Sequence, residues 1–408
     1  MDQLPQDALG RHAYGTDGAN PSRVRNHNER LVLSVVKNEG QVASSQIARL
    51  TSLSAQTASI ITRSLEADGM LLRGEPQKGR VGKPSVPVFL NPEGALAYGL
   101  RIGRRGADLI LMNIVGDVVA KRATKFSYPM PETIDAFARQ SMTSIGQELA
   151  PHLLDRIVGI GVATPFGLWK KAEAAGAPDA VLAVWRAYDF GASFASFTDL
   201  PVLLANDASM GCSGELVFGA AHELSDFLYF YVGAFVGGGV VLGGRVFFGR
   251  NGNAGAFGTL VVGRGHGASD TLINSASIYT LERDLAEQAG QEVRLHDDSS
   301  QWSLSDPLVD AWVSETARAL AIGAVSAAAV VDVDTAVVDG NFPTAIKTAI
   351  LARMRNALQE LDTQEISEIT VQAGTLGRSA AAMGAAYQPI LAAHFLEGSS
   401  IDLQAVVQ

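Results

Sequence analysis

One cysteine, Cys212, is the whole thiol content of 408 residues. A single thiol excludes an internal disulfide framework and any zinc site built from several cysteines, and it fits a reducing, cytoplasmic setting. Net positive charge is also lacking. The chain has 32 Lys and Arg against 42 Asp and Glu, a formal balance of −10. Taken whole, that argues against a nucleic-acid-binding protein, because phosphates attract cations. Residues 1–20 lack the apolar core of a signal peptide; polar and rich in Gly, Asp and Pro, they read as a disordered tail. Charged residues are only 18% of the chain and hydrophobic ones 47%, which excludes overall disorder and supplies a large core. The uncharged run Phe227–Gly244 is long enough to test as a membrane span, but six of its 18 residues are glycine. Its aromatic and β-branched residues suit two buried strands joined by a glycine turn, so no membrane partner is expected.

The charge is unevenly spread. Residues 1–92 hold 11 basic and 8 acidic residues, a balance of +3; the remainder holds 21 and 34, a balance of −13. A basic amino-terminal segment on an acidic body points to two modules with different partners.

In the first module, Leu31, Val32, Val35 and Val36 mark one face of a helix over Asn28–Asn38, ended by Gly40. A second helix starts near Ser44 or Ser45, either able to cap it, and carries Ile47, Ala48 and Leu50. After a short turn, a third is capped by Ser54 and runs through Ile60, Ile61 and Leu65 to about Asp68, where Gly69 stops it. Helix, tight turn and helix in this order are what a helix-turn-helix requires. On the third helix Ala58, Ile61 and Leu65 pack inward, while Gln56, Thr57, Ser59, Thr62 and Arg63 face out. Such a face suits a solvated helix, or one offering donors and acceptors to base edges in a major groove.

The adjoining segment favours DNA. Two apolar strands, Met70–Leu72 and Val86–Leu90, flank a Gly/Pro-rich tip containing Lys78, Arg80 and Lys83. That is a β-hairpin with a basic tip, a wing whose glycines allow close approach and whose cations suit a narrow minor groove. Arg23 and Arg25, just before the first helix, add phosphate contacts. Residues 21–92 hold 10 basic and 5 acidic residues.

The acidic body alternates strands and helices with glycine turns, the pattern of an α/β fold. Strands are expected at Gly99–Met112, Ile157–Val162, Val202–Ala205 and Thr335–Val338, and a hairpin over Phe227–Phe248. Helices are expected at Thr133–Leu149, Trp312–Val330 and Ser379–His394. Cys212 reads as a small buried hydrophobe. Trp169, Trp185 and Tyr188 suit core packing or stacking on a sugar ring. His266 and Asp270 are too sparse for a metal site, and none is expected.

From about residue 22 the chain resembles the ROK family (repressors, open reading frames and sugar kinases). The resemblance is carried in order by several motifs. Gly79–Ser85 with Leu90-Asn91-Pro92 resembles the regulator linker, and Gly159–Val162 leads into Thr164-Pro165. Leu204–Ala208 contains an Asn-Asp signature followed by Gly214-Glu215, and Gly237–Gly239 precedes Asn251–Gly255. The resemblance implies an actin-like, two-lobed sugar-kinase fold with a ligand cleft. It places effector contacts at Pro165, Asn206, Asp207, Asn253, Ala256 and Thr259.

The departures concern phosphotransfer. Where family kinases carry Asp-X-Gly-Gly-Thr, this chain has Arg101–Gly106, with Arg101 for the acid and Arg104 and Arg105 at the flexible positions. Arginine cannot ligate Mg²⁺, and phosphoryl transfer depends on such positioning and neutralisation. Gly233-Ala234-Phe235 replaces Gly-Thr-Gly, and Val338–Asn341 replaces a glycine-rich nucleotide stretch. The sugar motif Gly-Glu-X-Gly-His is Gly255–Thr259, the zinc cysteines are missing, and Ile273 stands near a later sugar-binding Glu. The kinase base corresponds to Asp207, which has no phosphoryl donor to serve. The residue-level alternative for Asn206-Asp207 is a turn leaving a strand.

The expected protein is thus a tail (1–20), a winged helix-turn-helix domain (21–92) and an actin-like ROK domain (93–408). It is a cytoplasmic repressor, a homodimer or dimer of dimers, binding operator DNA and a sugar or related polyhydroxy effector, with no cofactor. The alternative is an active ROK sugar kinase with an attached DNA-binding domain.

Overall fold

The computed structural model describes residues 21–76, 86–165, 184–185, 188–263, 271–295 and 302–396. The chain divides into two compact units. The first comprises the residues up to Leu90 together with His394–Leu396; the second begins at Asn91 and runs to Ala393. The division falls two residues before the expected boundary, and three residues from the far end group with the first unit.

The first unit contains α1 (Pro21–Glu39), β1 (Val42–Ala43), α2 (Ser44–Thr51), α3 (Ala55–Ala67), β2 (Leu71–Arg73) and β3 (Pro87–Leu90). Strand β3 is central in an antiparallel sheet, pairing Val88 with Val42 and Leu90 with Leu71. Val32, Leu33, Val36, Ile47, Ala58, Ile61, Leu65 and Met70 are buried between helices and sheet. Gly40 and Gly69 end their helices with φ of 71° and 73°, where a side chain would be strained. Phe395 is buried in the same unit under the Lys37 ammonium, 5.4 Å from the ring centroid, and Leu396 N donates to Ser34 Oγ at 2.9 Å.

Three expectations are corrected. Helix α1 starts at Pro21, a residue suited to a first helical turn, so Arg23 and Arg25 lie inside it rather than before it. Helix α2 has Ala43 at its N-cap with no side-chain bond, so neither Ser44 nor Ser45 caps it. Thr62 is buried, not outward, because its hydroxyl is satisfied by Ala58 O at 2.7 Å within the helix.

The second unit holds two five-stranded sheets. The first is ordered β6-β5-β4-β7-β8, from β4 (Leu96–Ile102), β5 (Gly106–Asn113), β6 (Val118–Lys125), β7 (Ile157–Thr164) and β8 (Val202–Asn206). The other is ordered β11-β10-β9-β12-β13, from β9 (Phe227–Val232), β10 (Val236–Leu242), β11 (Arg245–Phe247), β12 (Thr335–Gly340) and β13 (Thr370–Ala373). Each has three antiparallel strands followed by two parallel ones, in the same order. Helices α4 (Pro131–Glu148), α5 (Pro151–Leu154) and α6 (Phe190–Phe194) accompany the first sheet. Helices α7 (Asp207–Phe218), α8 (Leu272–Ala276), α9 (Ile278–Ala289), α10 (Pro307–Val331), α11 (Thr344–Gln359) and α12 (Ala380–His394) complete the unit.

Trp185 belongs to the first sheet's core, its Nε1 donating to Pro129 O at 2.7 Å and its ring 5.2 Å from Tyr188; Trp169 lies outside the described residues, as do His266 and Asp270. Among the described helices, α10 alone is long and apolar enough to cross a membrane, and 56% of its most apolar window is buried within the protein. Phe227–Gly244 forms strands, but Gly237–Gly239 lie inside β10 and not in the turn. A Cβ at Gly239 would come within 2.6 Å of Cys212 on α7, so the run lets that helix pack directly on the strand.

Candidate functional site

In the first unit the exposed face of α3 carries Gln56, Ile60 and Arg63. Ser54 Oγ accepts from Thr57 N at 3.0 Å and lies 2.8 Å from Thr57 Oγ1, so both hydroxyls serve the helix start. Ser59 is half-buried, and its carbonyl accepts from Arg63 Nε at 3.2 Å. Arg25 donates to Glu29 at 2.7 Å and to Ser64 Oγ at 2.9 Å, tying α1 to α3. The side chain of Arg23 and the wing residues Lys78, Arg80 and Lys83 lie outside the described residues. The stem is described: beyond β2, Gly74 N donates to Pro87 O at 2.8 Å. Ile60, 52% exposed, was missed as a surface residue; its place one helical turn from both Gln56 and Arg63 is the signal that finds it.

In the second unit a cleft of about 210 Å³ gathers all six residues expected at an effector site: Pro165, Asn206, Asp207, Asn253, Ala256 and Thr259. They come together because β4, β7, β8 and β9 all end there, the place where open α/β sheets present loops to ligands. Asn206 is the last residue of β8 and the N-cap of α7. Its Oδ1 accepts from Ala208 N at 2.9 Å and Ser209 N at 3.4 Å. Asp207 Oδ1 also accepts from Ala208 N at 3.0 Å. Opposite, Ala256 leads a single 3₁₀ turn, Phe257–Thr259, closed by Thr259 Oγ1 donating to Ala256 O at 2.9 Å.

The same cleft is lined by Arg101, Arg104, Tyr231 and Phe235. Arg104 lies over the Phe235 ring, 3.7 Å from its centroid, so the phenyl group is a platform for this cation. Burial, and next the charge of Arg105, lower the Arg104 pKa to about 10. Arg105 itself pairs with Glu282 at 3.2 Å. Arg101 donates to buried Asp108 on β5 at 3.2 Å. The Tyr231 hydroxyl is covered and has no hydrogen-bond partner among the described residues. Burial above all pushes its pKa up to about 12; Arg101, Asp339, Asp207 and Arg378 are the charges that act on it.

Beneath the cleft, residues 375–378 enter α12 in the grip of three buried carboxylates. Glu215 on α7 accepts from Thr375 N at 2.9 Å and Leu376 N at 3.1 Å. Asp339 on β12 accepts from Gly377 N at 2.6 Å and from Lys347 Nζ at 2.5 Å. Asp108 accepts from Arg378 at 3.1 and 3.2 Å. Helices α7 and α12 cross closely here, since a Cβ at Gly384 would sit 1.8 Å from Met210 O. None of the three carboxylates was read from the sequence as part of one support. Among the described residues no cluster of three His, Cys, Asp or Glu side chains could hold a metal ion.

Comparison with known proteins places this architecture. A xylose repressor of Caldicellulosiruptor bescii is 25% identical over 272 residues, 66% of this chain and 66% of that protein. The chain thus spans just under two thirds of that relative's length. A solved ROK family transcriptional regulator, a homolog of the E. coli MLC protein, superposes with a TM-score of 0.70 at 20% identity, covering 91% of this chain and 97% of that one. The ROK hexokinase of Thermus thermophilus superposes with a TM-score of 0.53 at 25% identity, covering 71% and 96%. The fold is therefore a helix-turn-helix unit followed by an actin-like α/β body with two sheets of matching strand order. A model of the ROK family matches residues 97–390, well over half of the chain, and the chain belongs to the ROK family.

Proposed function

We propose that the protein is a DNA-binding transcriptional repressor that responds to a sugar or related polyhydroxy effector held in the cleft of its second unit. The face of α3 reads operator bases, and the wing cations bind along the adjacent groove. Two copies engage paired half-sites as a homodimer in the cytoplasm. The effector acts through different affinities for two conformations of the body.

We further propose that the body no longer transfers phosphate. The observation that carries this reading is the state of Arg101. It stands where family kinases have the loop acid, it cannot bind Mg²⁺, and it is committed to Asp108 at 3.2 Å. The repressor name of the bacterial relative supports the regulatory reading.

Purified protein incubated with ATP, Mg²⁺ and a panel of aldoses is expected to form no sugar phosphate, while members of the panel or their derivatives raise its melting temperature. Sugar-dependent ATP turnover would restore the kinase reading. A thermal-shift screen of sugars, polyols and sugar derivatives without any response would remove the effector.

A further inference from the structure

Helix α3 is open to solvent along one stripe. Between Ala55 and Ala67 its exposed residues are Ala55, Gln56, Ile60, Arg63 and Ala67. Positions 56, 60, 63 and 67 follow steps of four, three and four. That keeps them within about 60° of one another around a helix of 3.6 residues per turn. The neighbouring polar side chains are spent on the fold. The Ser54 and Thr57 hydroxyls serve the helix start, and that of Thr62 bonds Ala58 O. The one acid of the helix, Glu66, is paired with Arg73.

Three side chains on the stripe have chemistry left to offer. The exposed Gln56 amide is tied down by no hydrogen bond among the described residues. Arg63 Nε donates to Ser59 O at 3.2 Å, one turn back, which holds the side chain along the helix and leaves Nη1 and Nη2 for a ligand. Ile60 lies between them, 52% exposed. An isoleucine open to water forfeits its burial unless a partner covers it. Duplex DNA is the partner that fits this face. Residues 21–92 hold 10 basic and 5 acidic residues, and a polyanion answers that charge. The stripe is flanked by alanines, Ala55 and Ala67, which let the helix lie deep in a groove about 12 Å wide.

In a major groove each of the three groups has its own complement. A carboxamide matches adenine N6 and N7 with two bonds, a guanidinium matches guanine O6 and N7, and an apolar group fits the thymine methyl. Gln56 and Arg63 are seven residues apart in sequence, about 10 Å along a helix axis. With base pairs about 3.4 Å apart, that distance covers about three steps. We infer that α3 reads about four consecutive base pairs of an operator half-site, with Gln56 on an adenine, Arg63 on a guanine and Ile60 on the methyl of a thymine between them. This inference rests on the operator reading above and adds which bases are read.

The test uses the full-length protein and a random library of DNA duplexes, from which bound sites are selected. Each selected half-site is expected to hold an A·T pair, a second A·T or T·A pair and a G·C pair, in that order, within about four positions. Base analogues placed in the selected site then probe single groups. The 7-deaza forms of adenine and guanine lack N7, and uracil lacks the thymine methyl. Each is expected to weaken wild-type binding about threefold or more. The loss from deazaadenine is expected to vanish in Gln56→Ala, that from uracil in Ile60→Ala and that from deazaguanine in Arg63→Ala. The analogues applied to the wild type keep the idea open to refutation even if a variant misfolds. A selected site without this order of pairs, or analogue losses that the variants retain, would overturn the inference and leave the operator reading standing. Equal binding of the selected site by a protein with all three residues changed to Ala would do the same and assign the stripe to a protein partner. Selection of no sequence at all would take the operator reading with it.

Discussion

Asp108 and Arg378 lie 270 residues apart in the chain and meet through two hydrogen bonds of 3.1 and 3.2 Å. The same carboxylate holds Arg101 at the cleft. One buried side chain thus connects the candidate ligand site to the segment that launches the final helix.

Asp108→Ala is expected to destabilise the protein by about 1–3 kcal/mol, because it leaves two guanidinium groups without their acid in a partly buried setting. Arg378→Ala costs less, since Asp108 keeps Arg101. Denaturant melts of both variants check the order; equal midpoints to wild type would show that the network contributes nothing.

Arg80→Ala with Lys83→Ala is expected to weaken DNA binding and to flatten its dependence on salt, by a slope of about 0.9 for each phosphate no longer neutralised. Affinity measured across a salt titration decides this. An unchanged slope would remove the wing from the interface.

Ile60 is exposed on the face of α3 that also carries Gln56 and Arg63. An apolar group there suits a thymine methyl. Ile60→Ala is expected to lower operator affinity by about 1 kcal/mol while moving stability by less than about 0.5 kcal/mol. A loss of stability with operator affinity intact would assign the residue to packing instead.

Asn206 and Asp207 are adjacent but separable. Asn206→Ala removes the cap of α7 and is expected to cost about 1 kcal/mol of stability. Asp207→Ala is expected to remove the thermal shift given by the effector. If Asp207→Ala binds the effector as wild type does, the carboxylate serves only its own helix turn.

Much of the first unit was legible because its signals are local. Ser54 caps α3, Gly40 and Gly69 end their helices, and the inward set of Ala58, Ile61 and Leu65 follows helical spacing. The start of α1 was not, because hydrophobic periodicity marks a helix only where it is buried, and residues 21–27 are almost wholly polar. Thr62 was misplaced for a related reason: a hydroxyl that bonds its own helix can be buried like a methyl group. Spacing alone does not distinguish a glycine needed for a turn from one needed for close approach, so the packing of Gly239 against Cys212 was not legible. In the second unit the six positions expected at an effector site, which line one cleft, were carried by motif resemblance. The grip of Glu215, Asp339 and Asp108 on residues 375–378 joins elements distant in sequence, and no local pattern encodes such pairings. The matched strand order of the two sheets is likewise a property of topology.

The position of His394–Leu396 bears on the order in which the protein is made. Phe395 is buried in the amino-terminal unit, yet the ribosome adds it some three hundred residues after Leu90, the last strand residue of that unit. The unit that emerges first is therefore completed only after residues 91–393 have been made. Until residues 395 and 396 have been added, Ser34 and Lys37 await the groups that meet them, so a chain ended before that point carries an incomplete amino-terminal unit.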